Sequence, residues 1–230
     1  MNRNINVGAY GWRHSHWLNG FYPDDLPMAD EDDWRLAYYS NEFTTVMVPA
    51  DYWPVSDEQT QRVDCERWLE DVNEDFQFLV ECHAELFEQV SFAEISKQLT
   101  ILQPQLSAIV LRDNKQALPD SVCKQLCDIA EALEVNIYTD NNVASNDVSR
   151  IEDTQIKSVW QQKTQHISDL TLFEDELTDL RLTRTIVDQF VSQLSEAEKS
   201  SAAGTIIVDH PNLLTENLNQ FRAVLDIMGH

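Results

Sequence analysis

The sequence predicts an α/β fold in which helices surround a mainly parallel sheet. Short apolar runs alternate with amphipathic stretches of helical period along the 230 residues, which is the pattern of repeated βα units. The chain has only five glycines and no Gly-x-Gly turn after its first apolar run. The phosphate cradle of an open nucleotide-binding sheet therefore lacks its residues. A (β/α) barrel is favoured over an open doubly wound sheet.

Seven short segments are predicted as strands, because each is a brief apolar run and several are rich in Val, Ile or Phe. In chain order they are residues 5–10, 44–48, 76–81, 106–112, 135–139, 155–160 and 205–208. The interval between the fifth and sixth segments is short for a crossover that includes a helix and its two loops. We therefore expect a shortened or partly open barrel of about seven strands.

Helices are predicted between these strands from capping signals and apolar spacing. Capping boxes at 56–59 and 91–94 mark two helix starts, because the serine oxygen and the Gln or Glu side chain satisfy free amides of the first turn. Pro119 lies where a first-turn proline costs nothing. Apolar residues at helical spacing predict three further helices. Their stripes are Val122, Leu126, Ile129, Ala130 and Leu133; Ile186, Val187, Phe190, Val191 and Leu194; and Leu214, Leu218, Phe221, Leu225 and Met228.

The composition is that of an acidic globular protein, and nothing in it marks a second core, so residues 1–230 are expected to form a single domain. The net charge of -24 opposes contact with phosphate backbones, so no nucleic acid is expected as a partner.

No run approaches the roughly 20 apolar residues of a membrane helix, and the N-terminus lacks a signal-like stretch. We expect a cytoplasmic protein with no membrane partner. Its four cysteines follow neither zinc-knuckle spacing nor a disulfide framework, which predicts reduced thiols.

An aromatic pattern near the N-terminus carries a resemblance to a known family. It consists of Gly8-Ala9-Tyr10-Gly11-Trp12, Trp17, Phe21-Tyr22-Pro23 and Phe43-Thr44-Thr45-Val46. This segment resembles the YecE-like family known as domain of unknown function 72, whose members fold as TIM-type barrels. The likeness is dense over residues 5–54 and continues thinly through Trp68 and residues 76–80. The resemblance supports the barrel more firmly than periodicity does, and it implies no activity because that of the family is unsettled.

The chain departs from the family pattern at positions expected to face the barrel mouth. Met47 and Pro49 stand where the second strand of the family usually carries a glutamate and then an asparagine. Glu81 stands where the third strand usually ends in a lysine, and Arg112-Asp113 stands where the fourth usually ends in a glutamine and a proline. The resemblance thus implies that the usual polar site of the family is largely lost or rebuilt here.

Because the carboxyl ends of the strands build the site of a barrel, the polar residues after each apolar run are the candidates. One hypothesis places a divalent metal on His14 and His16, with Asp209 and either His83 or Glu81, to activate water for hydrolysis. The alternative is that the two histidines are exposed loop residues, with His16 packing on Trp17.

A second hypothesis makes Glu81 and Asp209 a catalytic acid and base, with Asp113 as another carboxylate that could complete the pair. Trp12 and Trp53 would then stack on a sugar, although large aromatics often fill a core instead. The predicted ligand-binding residues are Trp12, Arg13, Trp53, His83 and Arg112.

These observations lead to two expectations about function. The first is a binding or interaction protein whose family site has been lost, with a small molecule or another protein as its partner. The alternative is a metal-dependent or carboxylate-based hydrolase with a rebuilt site at the C-terminal mouth of the barrel. A closed mouth favours the first, and a cleft in which His14, His16, His83 and Asp209 converge favours the second. The cofactor, the substrate and the oligomeric state do not follow from the sequence.

Overall fold

The structure is a computed structural model, and it describes residues 5–18, 20–28, 33–53, 65–112, 119–139, 156–158, 168–173, 179–197 and 204–229. The elements of these residues alternate between strand and helix over most of the chain. In order they are β1 Ile5–Tyr10, α1 Arg35–Ser40, β2 Thr45–Val48, α2 Cys65–Asp71, β3 Gln77–Cys82, α3 Ala84–Gln89, α4 Phe92–Leu102, β4 Leu106–Leu111, α5 Asp120–Ala132, β5 Asn136–Thr139, β6 Ile156–Ser158, β7 Leu170–Phe173, α6 Leu180–Ala197, β8 Gly204–Val208 and α7 Thr215–Met228.

All eight described strands belong to one parallel sheet in the order β6-β5-β4-β3-β2-β1-β8-β7. The sheet is strongly curled. Tyr138 of β5 donates a hydrogen bond of 2.7 Å to Asp169 Oδ1, immediately before β7, although six strand spacings separate β5 from β7 in the sheet order. In a flat sheet those spacings would amount to roughly 29 Å. Within the described residues β6 and β7 are edge strands without a mutual backbone pairing, so the barrel is partly open.

The predicted partly open α/β barrel is therefore confirmed. All seven predicted strand segments contain strands, and the additional one is β7, a four-residue strand for which the sequence analysis made no prediction. The helix start predicted at residue 91 is also confirmed, because the Ser91 side chain caps α4 by accepting from the Glu94 amide at 3.2 Å. Pro119 is the cap residue of α5 and precedes its first turn. The capping box at 56–59 and the interval 140–154 lie outside the described residues.

Alternation along the strands separates an inner from an outer apolar layer. In β3, Leu79 joins the inner cluster, whereas Phe78 and Val80 join the outer one that packs against the helices, as the two-residue period of a strand requires. The inner layer fills the barrel interior with side chains. Its buried members are Met47, Leu79, Ala108, Val110, Tyr138, Leu170 and Ile207.

Apart from Tyr10, which packs against the inner cluster, the aromatic side chains of the N-terminal pattern belong to the outer layer. The Tyr39 hydroxyl accepts from the Ala9 amide of β1 and donates to the Thr45 carbonyl of β2, both at 2.9 Å. Trp17 stacks parallel to Tyr39 with ring centres 6.1 Å apart, and the Tyr22 hydroxyl donates to the Trp12 carbonyl at 2.6 Å. These aromatics attach the segment after β1 to the outside of the barrel, so their role is structural.

The helices in the described part of the chain include none that combines the length and apolar character needed to cross a membrane.

Gly8 lies where β1 approaches β2 so closely that a side chain has no room. A Cβ atom on Gly8 would lie 2.2 Å from the Thr45 carbonyl oxygen, which is backbone and cannot rotate away. We predict that Gly8→Ala lowers the free energy of unfolding by roughly 1–3 kcal/mol, measured by urea denaturation. The matched control is Gly20→Ala, because a Cβ there meets nothing closer than the Trp17 carbonyl oxygen at 4.0 Å. Equal stabilities of the two variants would contradict the close packing of β1 on β2.

Candidate functional site

Four polar side chains meet at the carboxyl-terminal mouth of the barrel. Tyr10 is the last residue of β1, Glu81 lies near the end of β3, Arg112 follows β4, and Asp209 follows β8. Glu81 comes two residues after Leu79 of the inner cluster, and Tyr10 packs against that cluster, so the network covers the apolar interior. We call these four residues the mouth network.

Glu81 is the buried centre of the mouth network, with only 1% of its surface exposed. Its Oε2 atom accepts hydrogen bonds from the Tyr10 hydroxyl and, at 3.0 Å, from the Ala50 amide. Its Oε1 atom faces Arg112 Nε at 3.8 Å and has no hydrogen-bond partner among the described residues. Burial, reinforced by the Glu81 charge and hydrogen bond, raises the pKa of Tyr10, so Tyr10 stays protonated and remains the donor.

Arg112 connects the two carboxylates of the network. Its Nη1 atom donates to Asp209 Oδ2 at 2.6 Å, and its guanidinium carbon lies 5.5 Å from the centre of the Tyr10 ring. Burial lowers the pKa of Arg112, but the hydrogen bond to Asp209 and the charges of Asp209 and Glu81 outweigh it and raise that pKa above its usual value. One permanently charged guanidinium therefore interacts with both of the predicted catalytic carboxylates, Glu81 and Asp209.

The sequence predicts that Glu81, Arg112 and Asp209 lie at the carboxyl ends of their strands. The structure brings these three side chains together there. Tyr10 is a member that the sequence analysis missed. The available signal was strand alternation, because the side chain two residues after Gly8 faces the same side of β1. In the sequence analysis, only polar residues that follow an apolar run are candidates. A tyrosine at the end of a strand is usually assigned to the core, and only the hydrogen bond of its hydroxyl group shows that it belongs to a polar site.

The metal site predicted at His14 and His16 is not assembled in this structure. The ring centres of the two histidines are 5.2 Å apart, but His16 Nε2 lies 2.6 Å from the Leu213 carbonyl. Because a carbonyl can only accept, that nitrogen carries a proton and cannot bind a metal in this arrangement. The described residues contain no group of three or more His, Cys, Asp or Glu side chains placed to hold an ion. Burial and the neighbouring His16 lower the pKa of His14.

The remaining predicted ligand-binding residues have structural partners. Trp12 and Trp53 are only 1% and 2% exposed, so the expectation that they line an open pocket is corrected to core packing. His83 caps α3, where its Nδ1 accepts from the Leu86 amide at 3.2 Å. Arg13 lies over the Tyr52 ring at 4.8 Å and 3.3 Å from Asp33 Oδ2, with a third of its side chain exposed.

A cleft that the sequence analysis did not predict lies at the edge of the mouth. It has a volume of about 310 Å³ and separates the segment after β1 from the start of α7. We call it the rim cleft. Its lining residues are His16, Trp17, Gly20, Phe21, Leu214, Thr215, Glu216, Asn217 and Gln220.

Removing the cation of the mouth network should destabilise the fold. We predict that Arg112→Met lowers the free energy of unfolding by roughly 3 kcal/mol, because Glu81 is left as a buried carboxylate without its counter-charge. The control is Arg184→Met on α6, whose pair with Asp188 is 3.7 Å long and more than half exposed on both sides; that change should stay within about 0.5 kcal/mol. Urea denaturation measures both, and a loss no larger than the control would contradict a structural role for the network.

Comparison with known proteins supports the fold and gives a family. The structure resembles the octameric ribulose-1,5-bisphosphate carboxylase/oxygenase (Rubisco) from Pyrococcus horikoshii OT3, crystallised with sulfate ion. The identity is 9% and the TM-score is 0.53, over 100% of this chain and 59% of that chain. This chain thus spans less than two thirds of that protein, and the likeness concerns the fold alone.

A ligand-free tryptophan synthase from M. tuberculosis gives a weaker match, with 13% identity and a TM-score of 0.41 over 99% of this chain and 92% of that chain. No curated protein sequence matches the chain. The model of the family described as "Protein of unknown function DUF72" matches residues 6–135, which is more than half of the sequence and includes Tyr10, Glu81 and Arg112. The chain therefore belongs to the DUF72 family of proteins of unknown function.

Proposed function

We propose that this protein is a binding protein without hydrolytic activity, and that its C-terminal face presents the binding surface on a structural barrel. One observation carries the proposal: the two carboxylates that would act as acid and base are committed to the mouth network. Glu81 is 1% exposed and bound by Tyr10 and Ala50, and Asp209 is bound by Arg112 at 2.6 Å.

A catalytic acid or base needs access to the proton that it transfers. Glu81 is enclosed by protein groups, and a substrate would have to break its hydrogen bonds to Tyr10 and Ala50 to reach it. Asp209, with 21% of its side chain exposed, is the more accessible carboxylate, but its Oδ2 atom accepts a hydrogen bond of 2.6 Å from Arg112 Nη1. The pair therefore suits charge neutralisation better than proton transfer.

A hydrolase remains the second candidate, and one observation favours it. The Nε2 atom of His14 is buried and has no hydrogen-bond partner among the described residues. Because burial lowers the pKa of His14, the ring is neutral near pH 7 and holds a free lone pair. A neutral imidazole of this kind is a chemically competent base.

Hydrolysis assays distinguish the two candidates. We predict that the purified protein cleaves chromogenic glycosides, esters and phosphate esters no faster than its Asp209→Asn variant, with and without added Zn²⁺ or Mg²⁺, because neither carboxylate is free to act. The exposed Asp188→Asn on α6 serves as a charge-matched control. Turnover that Asp209→Asn removes, while Asp188→Asn retains it and both variants keep the fold, would overturn the proposal in favour of the hydrolase.

Metal analysis provides a second test. We predict well under one equivalent of any divalent metal in protein purified without chelators, because His16 Nε2 is held by the Leu213 carbonyl. Elemental analysis of the double variant His14→Ala with His16→Ala should give the same metal content. One equivalent of metal in the natural sequence, lost in the double variant, would support the metal-dependent hydrolase instead.

A further inference from the structure

We infer that the rim cleft receives an apolar side chain of a partner protein, from a segment in which lysine or arginine flanks that side chain. The inference rests on the proposed function, because it names the surface and the kind of partner for a binding protein. Its site is the junction between the loop after β1 and the first turns of α7, at the same end of the barrel as the mouth network.

The two walls of the rim cleft are fixed to each other. His16 Nε2 and Trp17 Nε1 each lie 2.6 Å from the Leu213 carbonyl oxygen, and nearly 200 residues of sequence separate the two partners. Trp17 is only 1% exposed and packs edge to face on Phe21 at 5.5 Å. A cleft with walls bound in this way is formed before its ligand arrives, which reduces the ordering cost of binding.

The rim cleft also exposes apolar surface. Leu214, one of its lining residues, is 46% exposed. Asn217 and Gln220 lie three residues apart on α7, so both face the cleft from one side of the helix. Apolar contact surrounded by amide groups suits a peptide, whose side chain enters the cleft while its backbone meets the amides.

The charge around the rim cleft selects a cationic partner. Glu216 is the one carboxylate among the lining residues, and the lining includes neither lysine nor arginine. Asp24 and Asp25, which closely follow Phe21 in the sequence, are exposed, and the whole chain carries a net charge of -24. A basic segment is therefore attracted and an acidic one repelled, most strongly within the Debye length of about 10 Å at 0.1 M salt.

The volume agrees with a single side chain. At about 310 Å³, the rim cleft is at the lower limit of small-molecule pockets, which span roughly 300–1,000 Å³. It has room for a leucine-sized or aromatic side chain. Affinity for a longer segment would then depend on the flanking charges and on the amides of α7.

The test uses three capped pentapeptides as probes: Lys-Lys-Leu-Lys-Lys, the same peptide with alanine at its centre, and Glu-Glu-Leu-Glu-Glu. Binding is followed by amide chemical shifts of the isotope-labelled full chain. We expect the first peptide to shift the amides of Gly20, Glu216 and Gln220, and to bind at least about tenfold more tightly than the acidic peptide and several-fold more tightly than the alanine peptide.

Matched variants separate the rim cleft from general attraction to an acidic protein. Glu216→Gln and Leu214→Ser should each weaken binding of the lysine-leucine peptide several-fold. Glu131→Gln on α5 removes the same charge elsewhere, and Ile227→Ser changes an apolar residue that is 85% exposed on the last turn of α7; both should leave binding within about twofold.

Three results would overturn the inference: no binding of the lysine-leucine peptide, shifts that map away from the rim cleft, or equal losses in the cleft variants and their controls. None of these results bears on whether Asp209 supports turnover, so failure of the inference and failure of the proposed function are observed in different experiments.

Discussion

The structure of the barrel mouth depends on the positive charge of Arg112. A buried carboxylate is costly unless it is paired and hydrogen-bonded, and Glu81 comes two residues after Leu79 of the inner apolar cluster. Arg112 supplies its counter-charge, Tyr10 and Ala50 supply hydrogen bonds, and Asp209 accepts a hydrogen bond that holds the guanidinium in place. Arg112 and Asp209 follow strands four spacings apart in the sheet order, roughly 19 Å in a flat sheet, so their 2.6 Å contact forms only when the sheet is curled.

The mouth network can be compared with the polar residues that the family resemblance leads us to expect. The resemblance expects an acidic side chain on the second strand and a lysine at the end of the third. Here Met47 of β2 is buried in the inner apolar cluster, the acidic side chain is Glu81 on β3, and the cation is Arg112 after β4. An acidic and a cationic side chain thus still lie on neighbouring strands, but each is one strand later in the sequence than the resemblance leads us to expect. Here the pair is the ion pair of Arg112 with Glu81 at the mouth of the barrel.

The same end of the molecule therefore combines two contrasting surfaces. Over the barrel interior, the mouth network leaves Glu81 almost without exposed surface. Beside it, the rim cleft leaves Leu214 about half exposed and Glu216 as its charged side chain. In a parallel barrel the loops at this end are free to vary without disturbing the strands.

The sequence by itself determined the class of fold, because the periods of strand and helix and the capping box at Ser91 are local properties of the chain. It also located Glu81, Arg112 and Asp209, because each follows an apolar run that ends at the mouth. Only the tertiary structure decided which contacts they make: the groups bound to Glu81 and Asp209 come from residues 31 to 97 positions away, and no local pattern encodes such contacts. The rim cleft could not be predicted from the sequence for the same reason. Its two walls come from opposite ends of the chain and are joined by the contacts of the His16 and Trp17 rings with the Leu213 carbonyl.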